Sequence, residues 1–138
     1  MKARYLWIAL ALATGGCAIR QNVTPVARIE GKEICIIQND SVKQGFLETY
    51  MRVLNEKGYA VKTLPASAGL TACPVTSTYN GLWRWDLALY LAYAEIRVYD
   101  KGKQIGQAVY DASRGGGSLN KFINAENKIA ELVNQLFP

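Results

Sequence analysis

KEICIIQNDSVKQGFLETYMRVLNEKGYAVKTL, residues 32–64, is the stretch that decides the fold. Residues 32–38 are short, apolar and rich in β-branched side chains, the composition of a strand buried on both faces. Asn39-Asp40-Ser41 interrupts the run, and Ser41 with Gln44 three residues on has the spacing of a capping box. From there Val42, Phe46, Tyr50, Val53 and Leu54 fall on one helical face, with Glu48, Arg52 and Glu56 elsewhere. Lys57 supplies a cation at the helix end and Gly58 a C-cap. Residues 59–64 read as a second strand. Strand, helix and strand in this order predict a βαβ unit with parallel strands.

Working outward, Pro65 opens a loop, and residues 72–79 read as extended, with Pro74 restricting them to a strand start or an edge. Asn80-Gly81 predicts a hairpin turn. Residues 82–100 form one long extended stretch whose alternation changes phase. Leu87, Leu89 and Leu91 are apolar before it, Ala94, Ile96 and Val98 after it. Period 2 cannot change phase without an extra residue, so a bulge is expected near Ala92 to Ala94. Asp100-Lys101-Gly102 turns the chain into a partner strand over residues 104–112. After the loop SRGGG, residues 113–117, the stripe Phe122, Ile123, Ile129, Leu132, Val133 and Leu136 predicts a helix from Leu119 onward, capped by Ser118 or Asn120. The expected class is α+β in the order β-α-β-β-β-β-α. It has a mainly antiparallel sheet of four to five strands, with two helices packed on one face.

The chain starts as a secretory leader does. Lys2 and Arg4 precede an uncharged apolar run, LWIALALA, and then Thr14, Gly15, Gly16 and Cys17. The run is far shorter than the roughly 20 residues of a spanning helix. Small residues before a cysteine resemble the lipobox of bacterial lipoproteins, with Thr14 where that motif usually has Leu. This resemblance implies cleavage after residue 16 and lipidation of Cys17. Ala18, rather than Asp, after the cysteine implies the outer membrane in enteric-type sorting. Residues 1–16 are then a signal peptide, 17–31 a lipidated tether and 32–138 a single periplasmic domain.

The net charge of +5 falls to +3 once Lys2 and Arg4 are removed with the leader. No run of five or six like charges exists, which argues against a nucleic-acid partner. Histidine is absent, which excludes histidine-based acid–base catalysis, serine–histidine triads and histidine metal sites. No zinc-type cysteine spacing, phosphate loop or dinucleotide fingerprint occurs. The chain reads as a non-enzyme without metal or cofactor. With Cys17 lipidated, Cys35 and Cys73 remain as an even pair in an oxidising compartment, a disulfide candidate beside the alternative of a buried free thiol at Cys35.

Two features invite a binding role. Tyr79, Trp83 and Trp85 flank Arg84, the residue types that dominate interfaces. They are either an exposed contact or a cover over the end of the core. Arg114 with Gly115, Gly116 and Gly117, ahead of the expected helix, is either an anion cradle or a loop whose glycines merely permit a turn.

The run CPVTSTYNGLWRWDLALYLAYAEIRVYDKGKQIGQAVYDASRGGG and the ending KFINAENKIAELVNQLFP resemble the uncharacterised proteobacterial Sbal-type lipoprotein family, from Ile34 to Pro138. The Trp85-Asp86-Leu87-Ala88 stretch and the glycine loop are the most specific parts, and no activity carries over. The element order is also similar to the TolB amino-terminal-like domain. These resemblances imply an envelope lipoprotein that docks, through an edge strand or residues 79–85, onto another envelope protein. The alternative is a module that binds peptidoglycan, another glycan or anionic lipid.

Overall fold

The computed structural model describes residues 18–138. In chain order its elements are β1 (Arg20–Thr24), β2 (Glu33–Ile37), α1 (Gln44–Glu56), β3 (Ala60–Leu64), β4 (Val75–Asp86), β5 (Ala88–Asp100), β6 (Lys103–Asp111) and α2 (Ala125–Leu136). The strands make one mixed sheet in the order β1-β6-β5-β4-β2-β3, with both helices packed on it. The α+β class and its two helices are those expected, and the sheet has six strands. The signal peptide and Cys17 lie outside the described residues.

The βαβ unit forms as its pattern dictates. β2 pairs parallel with β3 from Glu33–Ala60 to Ile37–Leu64. Phe46, Tyr50, Val53 and Leu54 of α1 are buried, and Gly58 closes the helix at φ +89°, where a side chain would be strained. The capping box does not form. The Ser41 N–H donates to Asn39 Oδ1 at 3.1 Å, making a turn before the helix, and α1 starts after Lys43 without a side-chain cap.

Ile34 and Ile36 face the helices, together with Ala94, Ile96, Val98, Ala108 and Tyr110 from the antiparallel strands. They meet Ile129, Leu132, Val133 and Leu136 of α2. Each large side chain so buried contributes about 1.5–3 kcal/mol. One polar chain crosses this core. The Tyr50 and Ser77 hydroxyls lie 2.8 Å apart, and Ser77 Oγ donates to the Arg97 carbonyl at 2.8 Å. Burial pushes the Tyr50 hydroxyl far above the ordinary tyrosine range.

Cys35 lies between Ile34 and Ile36 and so faces away from the helices. It is bonded to Cys73, with the two Cα atoms 6.2 Å apart. The bridge spans a separation of 38 residues, and in the chain-entropy model closing such a loop stabilises by about 3–4 kcal/mol.

Three more expectations need correction. Asn80-Gly81 is not a hairpin turn: β4 runs straight through it to Asp86, and the turn is made by Leu87 at φ +62°. The terminal helix does not begin at Leu119. Residues 119–121 make a single 3₁₀ turn capped by Ser118, and α2 starts at Ala125, where Asn124 Oδ1 accepts from the Asn127 N–H at 2.9 Å. The stretch read as a tether carries β1, which pairs antiparallel with β6 from Arg20–Asp111 to Thr24–Gln107.

Candidate functional site

The expected bulge is present. Leu82 pairs with Tyr93 and Trp83 with Leu91, so Ala92 is the extra residue. Beyond it, among the described residues, 82–91 of β4 and β5 pair only with each other, because β6 reaches no further than Tyr93 and β2 no further than Ser77. The hairpin leaves the sheet as a two-stranded arm.

Tyr79 lies at the arm's root, buried. Its ring stacks on Phe46 at 5.1 Å, and its hydroxyl accepts from the Asn39 N–H at 3.1 Å. It belongs to the core and is withdrawn as a contact residue. Gly81 is required for a reason other than a turn. A Cβ there would sit 2.9 Å from Phe46 Cδ2 and 2.9 Å from Trp83 Cζ3, so the glycine lets the two rings close over the strand. Trp83 is thereby half-buried, with the Lys43 ammonium 5.9 Å from its ring centre. Lys43, Phe46, Trp83, Arg52, Glu126 and Ile129 line a cleft of about 460 Å³ between the helices and the arm.

Past Trp83 the same strand face stays uncovered. Trp85 is 72% exposed and Leu89 opposite it 55%, Leu87 at the turn is 86% exposed, and Leu82 and Arg84 on the other face are exposed too. Such a row of large apolar side chains is unusual on a monomer surface.

The arm is nevertheless held. Lys121 is almost fully buried, and its ammonium bonds the Asp86 carboxylate and, at 2.5 Å, the Gly116 carbonyl. It also lies 5.2 Å from the Tyr90 ring centre and 5.3 Å from that of Phe122, two rings that meet edge to face at 5.7 Å. The glycine loop is thus a brace behind the arm. It does not open onto the N-terminus of α2, which begins at Ala125, so the helix end that the anion-cradle alternative invoked lies elsewhere. Gly115 is buried, Arg114 is exposed, and the Gly116 carbonyl serves a cation. At the loop's base the Ser113 hydroxyl and backbone N–H both donate to Asp111, which holds that carboxyl below the usual range. On the open sheet face Tyr93 donates to Glu95 at 2.7 Å, and burial pushes its hydroxyl up to about 12.

Sequence reading missed Lys121. The signal was a lysine directly before Phe122 at the start of an apolar stripe, where a solvated cation has no natural place. Glu33, Cys35 and Cys73 bring three ligand-type atoms within 4.8 Å of one another, but the disulfide occupies both sulfurs. No helix of the described residues is long and apolar enough to cross a membrane.

Among solved structures, the PelC dodecamer of Paraburkholderia phytofirmans superposes with a TM-score of 0.58, covering 88% of this chain and 99% of that one. The fold is PelC-like. A point variant of the same PelC dodecamer gives a TM-score of 0.55 over 86% and 94% of the two chains. At 13% and 9% identity the likeness to PelC is one of fold and carries no residue correspondence. No family model and no curated protein matches the chain, so the Sbal-type resemblance stands on the residues quoted for it.

Proposed function

We propose that this chain is a non-enzymatic cell-envelope lipoprotein, akin to the Sbal-type family. It is anchored through Cys17 to the periplasmic face of the outer membrane, assembles with copies of itself and docks there with an envelope partner. The observation that carries the reading is where the arm lies. Arg20, three residues after Cys17, pairs with Asp111, which pairs with Tyr93 at the arm's root. The anchor and the arm therefore leave the same end of the sheet. A lipid on Cys17 brings Trp85, Leu87 and Leu89 to the membrane surface, where indole rings favour the headgroup layer and leucines the acyl boundary. Lys43, Arg84 and Arg114, all exposed, supply cations for anionic headgroups. Self-assembly is supported by the PelC-like fold, PelC itself being a dodecamer.

The two tryptophans left after leader removal, Trp83 and Trp85, are both in the arm, so intrinsic fluorescence reports on it alone. In the lipidated full-length product of a Trp83→Phe variant, brominated acyl chains in phosphatidylethanolamine–phosphatidylglycerol vesicles should quench the Trp85 emission at least twofold. Unquenched emission would remove the arm from the membrane. It would favour the second reading, a glycan-binding module, which rests on the exposed indole of Trp85 beside Arg84.

A further inference from the structure

The reading above leaves open which surfaces join the copies, and the strand edges answer it. We propose that copies join edge to edge, β1 of one pairing antiparallel with β3 of the next; this rests on the self-assembly reading. Copies anchored in one membrane with their arms against it are related by rotation about the membrane normal. The arm continues β4 and β5, so the strands run toward the membrane and the sheet edges face sideways. A closed ring needs a heterologous contact, two different patches that fit each other. The two edges are such a pair. β1 runs away from the arm end and β3 toward it, so neighbours in the same orientation present antiparallel strands.

Each edge strand is five residues long and, among the described residues, pairs on one side only, with β6 or with β2. On β3 the Ala60 N–H donates to the Lys32 carbonyl and the Leu64 carbonyl accepts from Gln38, so the groups of residues 60, 62 and 64 point inward. Those of Val61 and Thr63 point outward, a row that invites another strand. The side chains agree with this pairing. Val23 of β1 and Val61 of β3 are both half-buried against the helix side of the core. A register with Val23 beside Val61 puts Gln21 beside Thr63 on the same face and Asn22 beside Lys62 on the other. No like charges stand directly opposite one another, and the two valines extend one core into the next. Lys62 is drawn back over its own sheet by Glu33 at 3.1 Å, which clears the edge.

The test uses the full chain in its own membrane. With Gln21→Cys and Thr63→Cys in one chain, oxidation should yield a ladder of disulfide-linked multimers on a non-reducing gel, and neither single variant should. Thr63→Pro removes an outward N–H without touching the β2 ladder. By native mass spectrometry it should be monomeric while melting within a few degrees of wild type. If wild type is an oligomer but the double variant gives no ladder, edge pairing is overturned and self-assembly stands. A monomeric wild type overturns both. If Thr63→Pro fails to fold, the cysteine ladder alone decides.

Discussion

The βαβ unit and the β4–β5 arm are built from the same kinds of residue and end in opposite environments. In the first, Phe46, Tyr50, Val53 and Leu54 lie under the sheet and are buried. In the second, Trp85 and Leu89 face each other across the two strands with Leu87 at the turn between them, and all three are bare. An apolar period shows that a face is to be covered and leaves unsaid what covers it. In the βαβ unit the chain covers itself. In the arm it spends a buried lysine, two aromatic rings and a glycine loop on bracing the back of a hairpin whose front it leaves open.

That contrast breaks most visibly at Phe46, where the halves touch. Phe46→Ala removes a fully buried ring that stacks on Tyr79 and supports Trp83, and should cost about 3–5 kcal/mol in urea unfolding. A loss below about 1 kcal/mol would mean that the arm's root is not part of the core. Lys121→Met comes next. It keeps the stem between Tyr90 and Phe122 but removes the bonds to Asp86 and Gly116. The arm should lose about 1.5–3 kcal/mol of local stability, read as roughly ten- to hundredfold faster amide exchange across residues 83–91, with α1 unchanged. Equal acceleration in α1 would show that the brace belongs to the whole domain. The smallest effect sharpens the contrast by reversing its sign. Leu87 holds a left-handed conformation that costs a non-glycine residue about 1–2 kcal/mol. Leu87→Gly should therefore raise the melting temperature by a few degrees while weakening membrane quenching of Trp85. A lower melting temperature would make Leu87 a structural residue.

The parts legible in the sequence were those where one physical requirement acted alone. The strand at 33–37, the stripe of α1 and the bulge at Ala92 each follow from burial on a known face. Asn80-Gly81 was misread because two mechanisms select glycine after asparagine. The dipeptide favours a turn, yet here the missing Cβ makes room for Phe46 and Trp83. The real turn uses Leu87, which no turn preference favours. β1 was missed because RQNVT is polar: it lies on an edge, and Val23 alone of its residues packs toward the core. Lys121 belongs to no motif, and its meaning depends on Asp86, 35 residues earlier. Of the residues flagged for binding, Trp85 and Arg84 are exposed, Trp83 is shared between arm and core, and Tyr79 is core.

The position of β1 also sets an order of events during folding. It is synthesised before the rest of the domain, yet its ladder partner β6 lies some 85 residues later, and Gln21 bonds Glu131 across a separation of 110. Closing so long a loop costs entropy that local contacts cannot offset early. The βαβ unit and the β4–β5–β6 meander need no such closure, and they can condense while β1 remains unpaired. β1 then locks into the sheet as one of the last steps.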